Sequence, residues 1–349
     1  MALDGTTAFI YDDSCLGSVA SGSISAALTS LSASTTYYYR AFVSEYNEST
    51  SSYEYRYGSV RSFTTAEPVA YKPGGWLEMP SYTAGSMSGT TTSSLSDLYP
   101  VTHWAMMGGS LQRNYSCLYD PEMFASYWVA YPLCYDHING SGRSEQWAYD
   151  PEVPEVKQTK LTNGAYGVSI ATANYSGNYY SRGHQIANAD RNGVDAMCDQ
   201  TFYMTNLTPQ LQYGFNGGIW NNLESAIQGL TSSCDTVYVV TGASFRKKGG
   251  SVTITTIVNT RDSKTLPVPN YYWKALLKVT WSGDAISSAS AIGFWLPHKD
   301  LKDEDYRDYA ISVDQIEAWT GFDLFANLPS ALQTSAEVNT NWTVFQNFR

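Results

Sequence analysis

Histidine is scarce in this chain: 4 occur among 349 residues. Any imidazole chemistry must therefore use His103, His137, His184 or His298. Charge is scarce as well, at 15% of residues, and the positive share is the smaller one, with 21 Lys and Arg against 32 Asp and Glu and a net charge of −11. Nucleic-acid backbones are bound mainly by Lys and Arg that neutralise phosphates. A broad basic footprint is thus excluded, whereas a local basic cleft helped by a divalent cation is not. The five cysteines (Cys15, Cys117, Cys134, Cys198 and Cys234) contain no CxxC pair, which argues against a structural zinc site. Their odd number leaves at least one thiol free; Cys117 with Cys134 is one pairing that the sequence leaves open. No run of eighteen apolar residues is present, so no helix is expected to span a membrane. Asp190 and Asp195 lack the ligand spacing of an EF-hand loop.

What is present is apolar and aromatic. Hydrophobic residues make up 43% and aromatics 14%, with 28 Tyr, enough to bury a sizeable core. The length allows two or three domains. Ser, Thr and Asn carry much of the polarity. This mixture suits a bacterial β-rich protein that is secreted, periplasmic or displayed on the cell surface. Met1-Ala2-Leu3-Asp4 does not open a signal peptide, so a leader removed upstream is expected.

Three segments follow in order. Residues 1–66 read as short strands: Thr35 to Val43 is rich in β-branched and aromatic residues at strand length, and Tyr57 to Thr65 closes the block. The pattern Thr-Thr-Tyr-Tyr-Tyr-Arg-Ala, then Tyr-Gly, then Ser-Phe-Thr-Thr resembles the second half of a fibronectin type III domain. The resemblance covers only this block, so it implies a partial all-β sandwich module. Residues 67–74, with Pro68, Pro73 and Gly74, read as a linker. Residues 75–349 read as one α+β domain. Thr83 to Ser96 is an aperiodic loop. Strands are expected at Ser126–Leu133, Gly164–Ala173, Asp235–Gly242, Ser251–Ile257, Tyr271–Val279 and Ala291–Pro297. Asp300 to Asp308 is an acidic exposed loop, and Ser312 to Gln315 is a capping box before a short helix stopped by Gly321.

The Asn216–Glu224 segment opens a further helix. Trp220, Leu223, Ile227 and Leu230 recur at helical spacing and define its apolar stripe. Glu224 falls roughly 80° from the centre of that stripe, on the boundary between core and solvent. Asn216 is expected at or just before the N-cap. His103 and His137 lie near aromatic runs and are expected to pack or cap, and His298 is expected to be exposed.

The remaining histidine sits in the densest polar stretch. Tyr180-Ser-Arg-Gly-His-Gln185 is followed by Thr205-Asn-Leu-Thr-Pro-Gln210 and by Asn216-Gly-Gly-Ile-Trp-Asn-Asn-Leu-Glu224. These motifs resemble the DNA/RNA non-specific endonuclease family of the ββα-metal superfamily, to which endonuclease G belongs. That family carries Asp-Arg-Gly-His, an Asn ahead of Pro-Gln, and an Asn followed eight residues on by a Glu; Asn216 and Glu224 keep that interval. Val239-Val-Thr-Gly242, Pro269-Asn-Tyr-Tyr-Trp-Lys274 and Gly321-Phe-Asp-Leu-Phe325 extend the likeness over most of Trp76 to Trp342.

The resemblance implies a ββα-metal nuclease fold with a central antiparallel or mixed sheet, and a hydrolase that cuts DNA and RNA internally. It implies Mg²⁺, replaceable by Mn²⁺ or Ca²⁺, held by the side-chain oxygen of Asn216 as the only direct protein ligand. Mg²⁺ keeps several waters and needs few protein groups, and a neutral ligand leaves it its full charge for the transition state. His184 is then the general base, and an ordinary imidazole pKa near 6.5 suits that task. Glu224 orients metal-bound waters, Arg143 clamps the phosphate with help from Arg182, and Asn206 orients groups at the site. Arg113 is a second candidate clamp. The basic turn Arg246-Lys247-Lys248 could touch flanking phosphates, although a solvated hairpin turn is the commoner meaning of such a run. One departure is Ser181, where the family has Asp: it can keep a hydrogen bond but not a charge. Two other readings fit less of the chain. A surface binding protein on an inactive nuclease fold would use the acidic surface but would not need the His, Asn and Glu together. A phosphodiesterase on a smaller anionic substrate would need less basic surface.

Overall fold

The computed structural model describes residues 18–20, 23–25, 36–64, 76–83, 87, 93–140, 142–167 and 179–349. Cys15, the expected linker 67–74 and the second half of the expected strand Gly164–Ala173 lie outside the described residues. The chain divides into two compact units, Met1–Lys72 and Pro73–Arg349.

In the first unit three antiparallel pairings are described. β1 (Ser18–Ala20) pairs with β2 (Ser23–Ser25), β3 (Thr36–Tyr39) with β6 (Arg61–Thr64), and β4 (Phe42–Asn47) with β5 (Ser52–Tyr57). Cross-strand aromatic pairs hold the longer two, among them Tyr37 on Phe63 and Tyr46 on Tyr53.

The second unit is built on one seven-stranded sheet in which every pairing is antiparallel. Its strands are β7 (Tyr99–Met107), β8 (Ser110–Asp120), β9 (Ala125–Leu133), β12 (Val237–Ser244), β15 (Tyr271–Ser282), β16 (Ala285–Pro297) and β17 (Ala310–Ile311). Their order is β17-β16-β15-β12-β9-β8-β7. The central strands read as nearly unbroken apolar runs because both faces are covered. On β15, Tyr272 and Leu276 belong to one core cluster, while Trp273, Ala275 and Leu277 belong to the other, as the two-residue alternation of a strand requires. The first face receives α3 (Asn221–Leu230) and α6 (Trp342–Asn347); the second receives α4 (Val313–Thr320) and α5 (Ser330–Glu337). Short helices α1 (Tyr135–Ile138) and α2 (Asp195–Gln200) lie in the connections.

Outside the sheet, β10 (Tyr180–His184) pairs antiparallel with β11 (Leu207–Leu211), and an irregular helical segment, Gln212–Trp220, leads from β11 into α3. Two strands followed by a helix therefore carry the motif residues. The stripe works as expected: Trp220, Leu223, Ile227 and Leu230 are all buried. The segment Ser312 to Gly321 also behaves as its caps dictate. The Ser312 hydroxyl accepts the Gln315 amide at 3.2 Å, and Gly321 closes α4 in the left-handed conformation at φ 81°.

Two local expectations change, and two points left open are settled. Residues Gly164 to Gly167 form a turn, with positive φ at both glycines, so the strand expected there is absent at least in that half. Of the Ser251–Ile257 run only Thr256 and Ile257 lie in a strand, β13 (Thr256–Val258), which pairs with β14 (Thr265–Pro267) outside the main sheet. Cys117 and Cys134 are both free thiols, as are Cys198 and Cys234. Asn216 is not the cap of α3: it lies in the preceding irregular segment, whose backbone is non-helical at Tyr213, Gly214 and Gly218.

Candidate active site

β10 and β11 are matched to each other by a close fit. A Cβ added to Gly183 would stand 2.1 Å from Oε1 of Gln210, and Gln210 is itself fully buried. The Gly of Arg-Gly-His and the Gln of Pro-Gln thus fit as one contact across the strand pair. The end of β10 is then fixed by Asn206. Its Oδ1 accepts the Ile186 amide at 3.0 Å, and its Nδ2 donates to the carbonyls of Ile186 at 3.0 Å and Thr201 at 2.7 Å. Asn206 is fully buried. It holds the backbone just past His184 and acts through that backbone.

Arg182 and His184 project beside Trp147 and Phe202. The His184 ring lies 5.5 Å from Trp147 and 5.0 Å from Phe202. The Arg182 guanidinium stacks 3.4 Å from the Trp147 ring centre, and that of Arg143 lies 4.9 Å from Phe202. Arg143 reaches this cluster from a separate loop. Its Nη1 donates to Asn188 Oδ1 at 2.8 Å, its Nε pairs with Glu145, and Glu145 also accepts the Trp147 indole N–H at 2.6 Å. Burial, then the charges of Arg143 and Arg182, push the His184 pKa down to about 3. The imidazole is therefore neutral at physiological pH, and its buried Nε2 has no hydrogen-bond partner among the described residues. Burial lowers the Arg182 pKa as well.

Asn216 meets the same strand through Ser181. Its Nδ2 donates to Ser181 Oγ at 2.9 Å and to Gln212 Oε1 at 3.2 Å. Ser181 in turn donates to the Gln210 carbonyl at 3.2 Å. With both amide protons held, the Asn216 carbonyl oxygen is the atom left for a ligand.

Glu224 is half-buried on α3, at the boundary of core and solvent, and its Oε1 lies 3.9 Å from Lys274 Nζ. Burial raises the Glu224 pKa against the pull of Lys274, and burial lowers that of Lys274. Lys274 is fully buried, 4.4 Å from the Trp220 ring centre, and donates to Thr241 Oγ1 at 3.2 Å and to the carbonyl of Gln185 at 3.4 Å. It thus ties Glu224 to the residue after His184. Sequence reasoning missed Lys274; the signal was one of two lysines, with Lys278, inside the otherwise apolar run Tyr271–Val279.

Other candidates are placed elsewhere. Arg113 is buried and ion-paired with Glu78, with Trp76 stacked 4.6 Å away, so it is not a phosphate clamp. In the basic turn Arg246, Lys247 and Lys248, the Lys247 ammonium packs 3.2 Å from the Trp319 ring centre. Trp319 packs on the core cluster of the opposite sheet face from α3, so Lys247 is committed there instead of to the site. His298 is not exposed: its Nδ1 donates to the Pro269 carbonyl at 2.7 Å and its Nε2 accepts the Leu211 amide at 2.8 Å. It pins the end of β11, and burial lowers its pKa to about 4. His103, bonded to Asp150 at 3.0 Å, and His137, in the α1 cap, are packed or capping as expected.

The sequence profile of the DNA/RNA non-specific endonucleases matches residues 107–331, more than half of the chain. The chain belongs to that family. Its activity is accordingly that of a nuclease, a hydrolase acting on phosphodiester bonds. The mitochondrial Nuclease 1 of Schizosaccharomyces pombe is 27% identical over 63% of this chain and 66% of its own length. The nuclease of Serratia marcescens is 28% identical over 60% of this chain and 71% of its own. Human mitochondrial endonuclease G is 31% identical over 38% of this chain and 42% of its own. The endonuclease G of a solved EndoG/EndoGI complex superposes with a TM-score of 0.51 at 21% identity, over 70% of this chain and 96% of that one, which shows a shared fold. In family terms Ser181 stands where Asp is usual, and here its hydroxyl supplies the acceptor that holds the Asn216 amide. The family description and the nuclease names of the relatives do not favour the binding-protein and small-substrate readings.

Proposed function

We propose that this endonuclease cuts DNA and RNA with His184 as general base and a divalent cation on Asn216. The observation that carries the reading is the free Nε2 of a neutral His184, on the same strand as the residue that orients Asn216. A neutral imidazole whose buried Nε2 is not engaged by another described group can take a proton from a water that attacks phosphorus. Arg143 and Arg182, stacked on Trp147 and Phe202, are preformed donors for the phosphate oxygens. Asn216 offers an oxygen ligand of the kind Mg²⁺, Mn²⁺ or Ca²⁺ accepts. When bound, the cation supplies charge stabilisation at the phosphate. Glu224 is the carboxylate that would orient water at the cation, and its contact with Lys274 supports that reading.

Two finer points belong to the same reading. The protein acts outside the bacterial cytoplasm, as its Ser/Thr/Tyr-rich composition supports, although none of the four described cysteines forms a disulfide. The first unit is a partial fibronectin type III-like module joined by residues 67–74, and catalysis belongs to residues 75–349.

The test is cleavage of supercoiled plasmid, linear DNA and structured RNA, with Mg²⁺, with Mn²⁺ and with chelator. Expected is metal-dependent internal cutting of all three, lowered about 10²- to 10⁴-fold by His184→Ala with the fold intact. Absence of cleavage by folded, metal-loaded protein would overturn the reading.

A further inference from the structure

On the sheet face opposite α3, two helices bring three carboxylates together. Asp314 and Glu317 stand three residues apart on α4, hence on one helix face; Glu337 is the last residue of α5. One carboxylate oxygen from each of the three lies within 4.8 Å of the others. Acidic clusters are common on surfaces, but Glu337 is not on one: it is 3% exposed, and its Oε1 has no hydrogen-bond partner among the described residues. Its position at the C-terminal end of a helix is also unfavourable for negative charge. None of the three forms an ion pair with Lys or Arg among the described residues. Neighbouring polar groups are already engaged. Glu317 Oε1 accepts the Leu324 amide at 2.6 Å, and Gln333 Nε2 donates to Asp323 Oδ1 at 2.8 Å and to the Leu324 carbonyl at 2.9 Å.

A buried carboxylate aimed at two others needs its charge neutralised. A proton, or the hydrogen bond from Gln333, answers one oxygen of Glu337 at a time, and Oε1 is the one without a partner among the described residues. A cation satisfies that oxygen and both neighbours together. We propose that Asp314, Glu317 and Glu337 bind a divalent cation of the calcium class, separate from the catalytic site. All donors are hard oxygens from two helices, with solvent open on the Asp314 side, which suits an ion that takes many oxygens in flexible geometry. The bound ion staples α4 to α5 across the turn at Gly321.

The experiment uses the full chain carrying Asn216→Ala, so that the proposed catalytic ligand is absent. Calorimetric titration with CaCl₂ or MgCl₂ is paired with thermal melting in chelator and in each salt. Expected are one calcium site, a higher melting temperature in calcium than in chelator, and loss of both in Glu337→Gln. Asp314→Asn, at an exposed position, folds and weakens calcium binding by about tenfold or more; it decides the matter should Glu337→Gln not fold. Absence of heat and of a melting shift overturns the proposal, as do a calcium affinity and a melting shift that are unchanged in either variant. Magnesium binding as tightly as calcium overturns the assignment to the calcium class.

Discussion

At the scale of the residue, His184 and Ser181 set the chemistry. Because burial and two guanidinium groups depress the His184 pKa to about 3, the base form persists well below the range of an ordinary imidazole. The acid limb of kcat/KM at saturating metal should therefore lie below pH ~6.5. Arg182→Gln, which removes one of the depressing charges, should move that limb upward; a pH–rate profile checks both. Ser181 acts one contact further out. Ser181→Ala leaves an Asn216 amide proton without its 2.9 Å acceptor, so the carbonyl oxygen is no longer held outward. The expected result is a several-fold higher Mg²⁺ concentration at half-maximal cleavage, with the rate at saturating Mg²⁺ little changed. Ser181→Asp restores an acceptor and should restore the Mg²⁺ requirement. A rate loss that saturating Mg²⁺ does not recover would show that Ser181 does something else.

At the scale of the element, the β10–β11 pair is the unit that must not shift. Gly183 leaves room for the buried Gln210 side chain, and a Cβ there collides with its amide. Gly183→Ala should cost about 1–3 kcal/mol, the usual range for overpacking, and lower activity by displacing Arg182 and His184 on either side. Adding Gln210→Ala removes the colliding atoms, so the double variant should recover part of the loss. Urea unfolding of the three variants measures this. Strictly additive destabilisation would show that the two side chains do not meet.

At the scale of the whole molecule, stability against pH follows from buried groups of both kinds. His137, His184 and His298 are held at about 3, 3 and 4, below the ordinary 6.5. The unfolded chain binds more protons at these sites, so stability is lost as pH falls from 6.5 toward those values. Glu317 and Glu337 are raised to about 7 and 9. The folded chain binds more protons there, and that stability is lost as pH rises from the ordinary 4.5 toward those values. The two slopes oppose each other between about pH 4.5 and 6.5, where a broad maximum is expected in chelator. Denaturation at pH 4, 5.5 and 8 tests it; equal or greater stability at pH 8 than at 5.5 contradicts the assignment. The division at Lys72 and Pro73 yields a further expectation. A chain of residues 73–349 should cut plasmid at the full-length rate, since every site residue lies within it.

Sequence alone determined what depends on local order. Strands such as Tyr271–Ser282 follow from runs of apolar residues, α3 from its four-residue stripe, and the end of α4 from a glycine free to take positive φ. The site motifs were legible because short spacing along two strands and a helix survives folding as short spacing in space. The tertiary structure decided whatever rests on partners far apart in the chain. Arg113 is a core ion pair because Glu78 meets it. His298 is held by Pro269 and Leu211, and Lys247 is drawn onto Trp319. Lys274 reaches Glu224 only because β15 runs beneath α3. Burial and charge environment are sums over neighbours brought together by folding, so no stretch of sequence carries them.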